Sequence, residues 1–359
     1  MGCPVGSISI DRINGQYLPV IDDNKCVKCN KCETVCVAIN GKNLAGYETL
    51  KSYYGFSKDD STRKKSSSGG IFFEIAQHFI KDGGVVVGAA YDDTFTVRHR
   101  IVTSADELAY IRGSKYVESD LHGVLEETLK LLKSGRKVLF SGVPCQIGAI
   151  KTFIGKPYSN LYCCEVFCHG APRSGIFISY TDYLQRKYGT MKAFNFRSKH
   201  FGWENPAYEI ELENKKIIQQ HKDNVYHLMF GNHVSLRDSC YECQFRQYRR
   251  FADLSLGDFW GIYKYYPEAD TKEGVSAINV NTAKGQELLD GINLYLEPCK
   301  LEEIYDLNKW MIMNFEKPSD QSSFIDDYRK MSTDTFMNKY EIKYKITDKI
   351  KRVIRRVIK

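Results

Sequence analysis

Closely spaced cysteines near the N-terminus restrict what this chain can fold into more than any other feature. Cys26, Cys29, Cys32 and Cys36 form the pattern C-x2-C-x2-C-x3-C, and Cys3 lies upstream of them. Such a run lets one loop present several thiolates to a cubic iron–sulfur cluster, and in proteins with two cubes the fourth cysteine binds the other cluster. The spacing therefore predicts one 4Fe–4S site formed by Cys26, Cys29, Cys32 and Cys3.

Two alternatives accompany this prediction. Four cysteines also suit a tetrahedral zinc ion, although three cysteines at x2 spacings favour iron–sulfur. Cys36 is followed by Val37, where the usual iron–sulfur run has proline. We interpret Cys36 as a thiol without a ligand role, and the sequence leaves that question open.

Composition indicates an ordinary globular protein. The chain has 359 residues, of which 43% are hydrophobic and 26% charged, enough for one large domain or two to three smaller ones. No apolar run reaches the ~18 residues of a spanning helix, and the N-terminus lacks a secretory pattern, which predicts a cytoplasmic protein. In such a protein, the 12 cysteines favour metal or cofactor chemistry over disulfides.

The net charge of +7 is concentrated at the C-terminus. Residues 343–359 hold eight Lys or Arg and one Asp, so the rest of the chain is close to neutral, which argues against nucleic-acid binding. Within this tail, apolar residues recur at helical spacing: Ile346, Ile350, Val353, Ile354, Val357 and Ile358. The pattern predicts a basic amphipathic helix that lies on an anionic membrane surface, peripheral to the inner face, or docks on protein.

Along the chain, composition and periodicity divide the sequence into five parts. We predict a ferredoxin-like domain over residues 1–45, a linker over 46–65, a core domain over 66–295, a helical region over 296–342 and the basic tail over 343–359. Asn14-Gly15 between two apolar segments is a hairpin signal. Helical and strand-like segments then alternate, which predicts an α/β core with an added antiparallel section (mixed α+β). The expected helices are 71–81, 118–134, 146–155 and 173–188, the strands 85–91, 137–140 and 161–167, and the antiparallel section 191–280.

A second set of cysteines is dispersed along the core. Cys145 and Cys168 each follow a predicted strand, and Cys240 and Cys243 form a C-x2-C pair. Residues just beyond strand ends line the ligand crevice of α/β sheets, so these four thiols could form a second metal site. The alternative is that they are small buried side chains, a description that suits three other cysteines better: Cys163, Cys164 and Cys299.

Three glycine-bearing segments are candidates for ligand contact. Residues 66–70 (SSSGG) precede a predicted helix, whose free N–H groups suit phosphate. Residues 112–116 (RGSKY) and 257–261 (GDFWG) have the polar and aromatic groups that contact a flavin or another planar ligand. Each has a simpler interpretation, as a helix cap with linker, a surface loop and a packed turn, respectively.

Taken together, the strings SSSGG, RGSKYVES, LFSGVPCQ, CHG, FRSKHFGW, SCYEC and LSLGDFWG occur in an order that resembles the beta subunit family of coenzyme F420 hydrogenases and dehydrogenases. The resemblance covers about residues 1–290. It implies an iron–sulfur flavoprotein that binds FAD and 4Fe–4S clusters and exchanges electrons between a deazaflavin or ferredoxin and a partner or substrate. Similar chains include proteins encoded among bacterial polysaccharide genes, which suggests a role in polysaccharide biosynthesis.

The resemblance also implies roles for individual residues. FAD contacts map to Ser66, Ser68, Gly69, Gly70, Gly113, Ser114, Lys115 and Tyr116, and Lys115 is the candidate to stabilise negative charge on the reduced ring. A second cluster site maps to Cys145, Cys168, Cys240 and Cys243. Fuller members of the family begin with a complete first cysteine run. Either the start of this chain is truncated or this member keeps one ferredoxin cluster.

The sequence therefore predicts an oxidoreductase that uses FAD and one or two 4Fe–4S clusters. The alternative is a relay subunit that passes electrons to a separate catalytic protein. A zinc-dependent nucleic-acid binder is disfavoured by the neutral body of the chain and by the cysteine spacing. Ferredoxin or a deazaflavin is the expected donor, and the sequence leaves a homo-oligomer open.

Overall fold

The computed structural model describes residues 2–344, and its N-terminal part is a β-hairpin followed by the cysteine loop. Strands β1 (Ile8–Ile13) and β2 (Gln16–Ile21) pair antiparallel. Asn14 (φ 51°) and Gly15 (φ 79°) both have positive φ, as a two-residue type I′ turn requires. The hairpin prediction is therefore confirmed. Two short helices follow the hairpin, α1 (Lys31–Thr34) and α2 (Val37–Asn40).

An eight-stranded mixed sheet forms the centre of the molecule. Its strands are β3 (Lys51–Ser57), β4 (Val85–Tyr91), β5 (Val97–Val102), β6 (Val138–Gly142), β7 (Leu161–Val166), β11 (Leu254–Asp258), β12 (Ser276–Val280) and β13 (Leu294–Pro298). Their order in space is β13-β3-β12-β11-β7-β6-β4-β5. Neighbours within the run β4-β6-β7-β11 are parallel, and the outer strands are antiparallel. The mixed α/β fold class is confirmed.

Helices connect these strands and cover the sheet. They are α3 (Asp60–Lys65), α4 (Ile71–Lys81), α5 (Leu108–Ile111), α6 (Val124–Lys133), α7 (Pro144–Ile154), α8 (Ser174–Tyr188), α9 (Val225–Gly231), α10 (Ala283–Glu287), α11 (Leu301–Leu307) and α12 (Gln321–Lys330). Residues 333–344 are also helical. The helix expected from residue 118 begins only at Val124, because Asp120 is bonded to β5 through the amide of His99 and the carbonyl of Val97.

The predicted antiparallel section forms a separate three-stranded sheet. Its strands β8 (Met191–Ser198), β9 (Ala207–Leu212) and β10 (Lys215–Gln220) pair in the order β10-β9-β8. Its apolar residues share a core with α8, α9, α12 and the helix at 333–344, which includes Phe177, Phe196, Tyr226, Phe324 and Tyr340. Two strands from the same stretch of sequence, β11 and β12, join the central sheet instead.

The predicted linker over residues 46–65 is wrong, because β3 lies inside the central sheet between β13 and β12. The segment looked polar and basic, but its polar groups have internal partners. Ser52 Oγ donates to Asn279 Oδ1 at 3.1 Å, and the buried Arg63 pairs with Asp270 at 2.6 Å. The Arg63 guanidinium also lies 3.5 Å from the ring centroid of Phe56. Satisfied polar groups can be buried at little cost, so polarity here did not indicate a linker.

The C-terminal region is helical only in part. Strand β13 extends to Pro298, and residues 313–320 contain no helix. The predicted basic tail lies outside the described residues from residue 345 onward. Over residues 2–344, the helices are all too short or too polar to cross a bilayer.

Candidate functional site

A cleft of about 980 Å³ opens where the central parallel strands β6, β7 and β11 end. Such carboxyl ends are where open α/β sheets place their ligands. Most of the residues predicted to bind a cofactor or metal in the core line this cleft: Ser66, Ser68, Gly70, Gly113, Ser114, Lys115, Tyr116, Cys145, Cys168, Cys240 and Cys243. The fold thus brings two groups of residues, far apart in sequence, to one cavity.

The four core cysteines, called here the interior cysteines (Cys145, Cys168, Cys240 and Cys243), come from three places in the fold. Cys145 is in the first turn of α7, Cys168 follows the end of β7, and Cys240 and Cys243 lie in the irregular segment before β11. Burial, reinforced by the neighbouring Cys240, raises the pKa of Cys168 to about 12. Burial and then the charge of Cys168 raise the pKa of Cys145. These effects agree with the position of the interior cysteines around one cleft.

Several donors point at these sulfurs. The amide of Gly170 donates to Cys168 Sγ at 3.3 Å, and the amide of Ala171 donates to Cys240 Sγ at 3.4 Å. Burial alone would lower the pKa of Arg237, but the charges of Glu118 and then Cys145 raise it. Amide bonds to sulfur and a nearby cation stabilise thiolates, and both tune iron–sulfur clusters. The donor set therefore fits a cluster.

Within residues 2–344, no three Cys, His, Asp or Glu side chains converge closely enough to hold a single metal ion. A cube of four irons bonds each thiolate to a different iron, so it spaces its ligands more widely than one ion does. The interior cysteines line one cleft and are compatible with that wider arrangement.

The N-terminal cysteines are Cys3, Cys26, Cys29 and Cys32. Cys3 precedes the hairpin, Cys26 and Cys29 lie in the loop between the hairpin and α1, and Cys32 is in α1. Cys29 is exposed and the other three are partly exposed. A Cβ atom on Gly2, next to Cys3, would lie 2.7 Å from Val35 Cγ2 and 3.8 Å from the carbonyl oxygen of Lys31. The segment that carries Cys3 thus packs against the helix that carries Cys32. The fourth predicted ligand is on the expected side of the loop, and its ligand role remains a prediction.

Cys3 differs from the interior cysteines in its electrostatics. Its sulfur lies 3.2 Å from Ser7 Oγ and accepts the amide of Ser7 at 3.3 Å. These hydrogen bonds lower the pKa of Cys3 to about 7. Cys3 therefore reaches its ligand form, the thiolate, more easily than Cys168 of the interior cysteines does.

The two cysteine groups are joined by direct packing, which the sequence did not reveal. Gln244 Nε2, next to Cys243, donates to the carbonyl of Val37 at 3.1 Å. A Cβ atom on Gly148 of α7 would lie 2.6 Å from Phe245 and 3.0 Å from Val37. The segment after Cys36 therefore sits against α7 and against the residues after Cys243. Only the three-dimensional structure could show this, because residues 37, 148 and 244 share no local pattern.

The residues of the Ser/Gly loop (66–70) have two different roles. Gly70 (φ 88°) caps α4 and lines the cleft with the first turn of that helix. Gly69 does not line it: a Cβ atom there would lie 2.5 Å from the carbonyl oxygen of Gly55. Gly69 is thus required for close packing on β3. The sequence also missed Ser67, which lines the cleft and accepts the amide of Ser114 at 2.8 Å.

Two basic residues of the FRSKHFGW string hold this loop, although the sequence assigned them no role. Lys199 Nζ donates to the carbonyls of Arg63 (2.7 Å), Ser68 (2.9 Å) and Glu273, and burial lowers the pKa of Lys199 to about 8. Arg197 pairs with Asp258 at 2.7 Å and donates to the carbonyl of Ser67 at 3.1 Å. These bonds fix the loop backbone beside the cleft.

Lys115 reaches the cleft from the neighbouring segment. Its Nζ donates to the carbonyls of Arg112 (3.1 Å) and Gly113 (3.3 Å), and burial lowers its pKa to about 7. Lys115 can therefore hold or release a proton near neutral pH. Next to it, the hydroxyl of Tyr116 accepts a hydrogen bond from Arg197 at 2.9 Å.

The aromatic pair in GDFWG has divided roles. Phe259 is fully buried in a core cluster, whereas Trp260 lines the cleft. Trp260 stacks on Trp203 with ring centroids 4.9 Å apart and an interplanar angle of 3°. Phe259 thus fits the interpretation as a packed turn, and contact between Trp260 and a planar ligand stays a prediction.

Comparisons with known proteins match most of the chain to one family. Residues 52–126 match the family model for the N-terminal part of the coenzyme F420 hydrogenase/dehydrogenase beta subunit, and residues 135–303 match the model for its C-terminal part. The first match begins inside the segment predicted to be a linker, in agreement with the position of β3. The matched ranges leave out residues 1–51, which include the N-terminal cysteines.

A coenzyme F420-dependent sulfite reductase of Methanocaldococcus jannaschii is 25% identical over 329 residues. The alignment covers 88% of this chain and 48% of that protein, so the chain spans about half the length of its relative. A chain of the F420-reducing [NiFe] hydrogenase complex of Methanosarcina barkeri has a similar structure, with a TM-score of 0.50 and 16% identity. That similarity covers 78% of this chain and 92% of the other, and it supports the fold alone.

Proposed function

The chain belongs to the coenzyme F420 hydrogenase/dehydrogenase beta subunit family, and from this premise we propose that it is an iron–sulfur flavoprotein oxidoreductase. The proposed cofactors are FAD and two 4Fe–4S clusters. The single observation that carries the proposal is the shared cleft, in which the interior cysteines and the Ser/Gly loop with Lys115 line one cavity. We propose that this cavity holds a one-electron carrier beside an organic cofactor.

The residues of the cleft suit the parts of a dinucleotide flavin. The first turn of α4 presents backbone amides at the Ser/Gly loop, where a pyrophosphate is favoured. Trp260 supplies an aromatic surface, and Lys115 supplies a proton-carrying Nζ whose pKa is about 7. When bound, a flavin exchanges electron pairs with organic partners and single electrons with metal clusters. The protein's own task is to bind, orient and shield these groups.

The donor is proposed to be a deazaflavin or a reduced ferredoxin. A deazaflavin is supported by the printed function of the sulfite reductase relative, which depends on coenzyme F420. Ferredoxin is supported by the exposed position of Cys29, since a protein carrier needs a redox group near the surface. The second candidate function, a relay subunit for a separate catalytic protein, is favoured by the relative's doubled length and by that same exposed loop.

Anaerobic purification with iron, sulfide and flavin measured per chain tests the proposal. Two clusters predict about eight irons and eight sulfides, together with one flavin. Trials with reduced deazaflavin and reduced ferredoxin then identify the donor by which one bleaches the visible absorption. The relay function is supported if both cofactors are reduced and no organic product forms. Colourless protein without iron or flavin overturns the assignment.

A further inference from the structure

A repeated lysine pattern runs through the loop that carries the N-terminal cysteines. Residues 25–32 read K-C-V-K-C-N-K-C, so Lys25, Lys28 and Lys31 each directly precede one of the cysteines. The loop contains no carboxylate. Three positive charges thus accompany three predicted cluster ligands in this one loop, which we call the lysine–cysteine loop.

These lysines face solvent. All three are exposed, and Cys29 between them is exposed as well. Over residues 2–344, Lys25 pairs with Asp22 at 3.2 Å, whereas Lys28 and Lys31 form no ion pair. A cation that serves only to offset thiolate charge is better placed inside, as Arg237 is beside the interior cysteines. The loop lysines instead project their charge outward, where it acts on molecules in solution.

Exposed apolar side chains accompany this charge. Val27 lies within the loop and is 61% exposed, and three more large apolar residues nearby in the sequence are also exposed: Val5 (45%), Ile21 (48%) and Ile39 (50%). One hydrogen bond, from the amide of Cys26 to the carbonyl of Asp22 (3.0 Å), joins the Ile21 segment to the loop. Another, from the amide of Asp22 to the carbonyl of Ser7 (2.8 Å), joins the Val5 segment to the Ile21 segment. Val27, between Cys26 and Lys28, thus adds an exposed apolar side chain to the charged loop.

We propose that the lysine–cysteine loop is the docking surface for a small acidic protein that donates single electrons. The inference rests on the proposed function and extends it, because it assigns the donor to one end of the molecule. The reduced carrier loses one electron and the N-terminal cluster gains it, with no bond formed and no proton transferred. Complementary charge favours this partner because it steers diffusional encounter and fixes orientation.

The packing behind the loop supports this direction of transfer. Thr152 Oγ1 of α7 donates to the carbonyl of Val35 at 3.0 Å, and Gln244 Nε2 donates to that of Val37. The segment after Cys32 is thus bonded to the elements that carry the interior cysteines, whereas Cys29 and the loop lysines face solvent. A donor that docks outside can pass electrons inward, whereas a small organic donor can enter the cleft directly.

The test compares two triple variants of the full chain, purified anaerobically with their cofactors. One is Lys25→Gln, Lys28→Gln, Lys31→Gln. The control, Lys192→Gln, Lys215→Gln, Lys222→Gln, removes the same charge from the region of the three-stranded sheet, where there is no cysteine. Stopped-flow reduction by a reduced acidic bacterial ferredoxin at low salt should slow by at least about tenfold in the loop variant only. Reduction by dithionite and iron content should be unchanged in both.

Two further measurements do not depend on the variants. In the unmodified protein, reduction by ferredoxin should slow steeply as salt rises, because screening weakens steering. Oxidised ferredoxin should bind the unmodified protein more tightly than the loop variant in interferometry. A salt-insensitive rate, or equal rates for the loop variant and unmodified protein, overturns the docking surface while dithionite reduction still supports the proposed function. Protein without iron overturns both.

Discussion

The N-terminal and interior cysteines offer the same thiol chemistry, but the fold positions the two groups in different ways. Three of the N-terminal cysteines share one loop, and Cys29 is exposed. The interior cysteines come from α7, from the end of β7 and from the segment before β11, and they line a deep cleft. The first set depends on local chain geometry and the second on the assembled sheet. Ligand spacing in sequence is therefore informative for one set and almost uninformative for the other.

The pKa values of the thiols also differ between the two cysteine groups. Hydrogen bonds from Ser7 lower the pKa of Cys3 to about 7, whereas burial raises the pKa of Cys168 to about 12. Because the thiolate is the ligand form, the interior thiols would have to lose their protons to bind the proposed cluster. We infer that the interior site forms only in folded protein, and that the N-terminal loop binds its metal more independently.

Removing one interior ligand should have the largest effect. Cys240→Ser is expected to lose about half of the iron, because a cube that lacks one of four protein ligands is no longer held in the cleft. The N-terminal site, formed by a separate loop, should keep its share. Iron and sulfide per chain, together with the visible spectrum, provide the measurement.

Cys299→Ser is the matched control for that experiment. Cys299 is partly buried in a core cluster and lies outside both cysteine groups. The Cys299→Ser variant should therefore retain the full iron content. Equal iron in Cys240→Ser and unmodified protein would remove the interior cysteines from the proposed site.

The next effect concerns the buried ion pair beneath the interior cysteines. Arg250 Nε contacts Glu165 Oε1 at 2.5 Å, and both side chains are almost fully buried (1% and 0% exposed). Glu165→Gln leaves the guanidinium charge uncompensated, so unfolding free energy should fall by about 3–5 kcal/mol in urea denaturation. Asp22→Asn, which breaks an exposed pair in the N-terminal loop, should leave stability unchanged within error. Equal effects of the two variants would contradict the contrast between buried and exposed sites.

Much of this fold could be predicted from sequence, because its signals are local. The Asn14-Gly15 turn, helix α4 and the apolar run of β4 each have a pattern within a few residues. Strand β3 was missed because its polar side chains, such as Ser52, are satisfied by partners more than two hundred positions away. Only the fold reveals such partners.

In the candidate site, too, contacts between residues that are distant in sequence could not be predicted. The interior cysteines were candidates because of their positions after predicted strands and their C-x2-C pair, and Lys115 was assigned its role through a family resemblance. The structure places all of them around one cleft. Lys199 was not assigned a role, because its three acceptors are carbonyls of residues 63, 68 and 273. Backbone acceptors leave no signature in sequence. The contact between Val37 and Gln244 is invisible for the same reason.

The contribution of Lys115 to stability should depend on pH, and this effect should be smaller than the preceding ones. Burial lowers its pKa from 10.5 to about 7, so between pH 7 and 10.5 the unfolded chain binds the proton that the folded chain has released. The contribution of Lys115 to stability therefore increases with pH across this window. At pH 6, cofactor-free Lys115→Met should be more stable than unmodified protein, because it removes a buried charge. We expect a difference of about 1–2 kcal/mol and no more, since solvent in the cleft screens that charge. In thermal unfolding from pH 6 to pH 9, the difference in stability between this variant and unmodified protein should decrease.

Lys115→Arg provides the control, since an arginine stays charged over this range and should keep a pH-independent penalty. In the holoprotein, Lys115→Met should slow flavin reduction without loss of iron, as expected if the cation stabilises negative charge on the reduced ring. Normal flavin reduction in this variant would leave Lys115 as a structural residue of the cleft.

The smallest expected effect is at Cys36, and it tests the N-terminal ligand set. Cys36 caps the start of α2, and Val37 beside it is packed against α7 and Gln244. Cys36→Ser should therefore retain all iron, because serine caps a helix at least as well as cysteine. Cys32→Ser, four residues earlier, should lose the N-terminal share of about four irons. If Cys36→Ser loses those irons and Cys3→Ser does not, the fourth ligand is Cys36, and the cluster then lies closer to α7 than the present assignment places it.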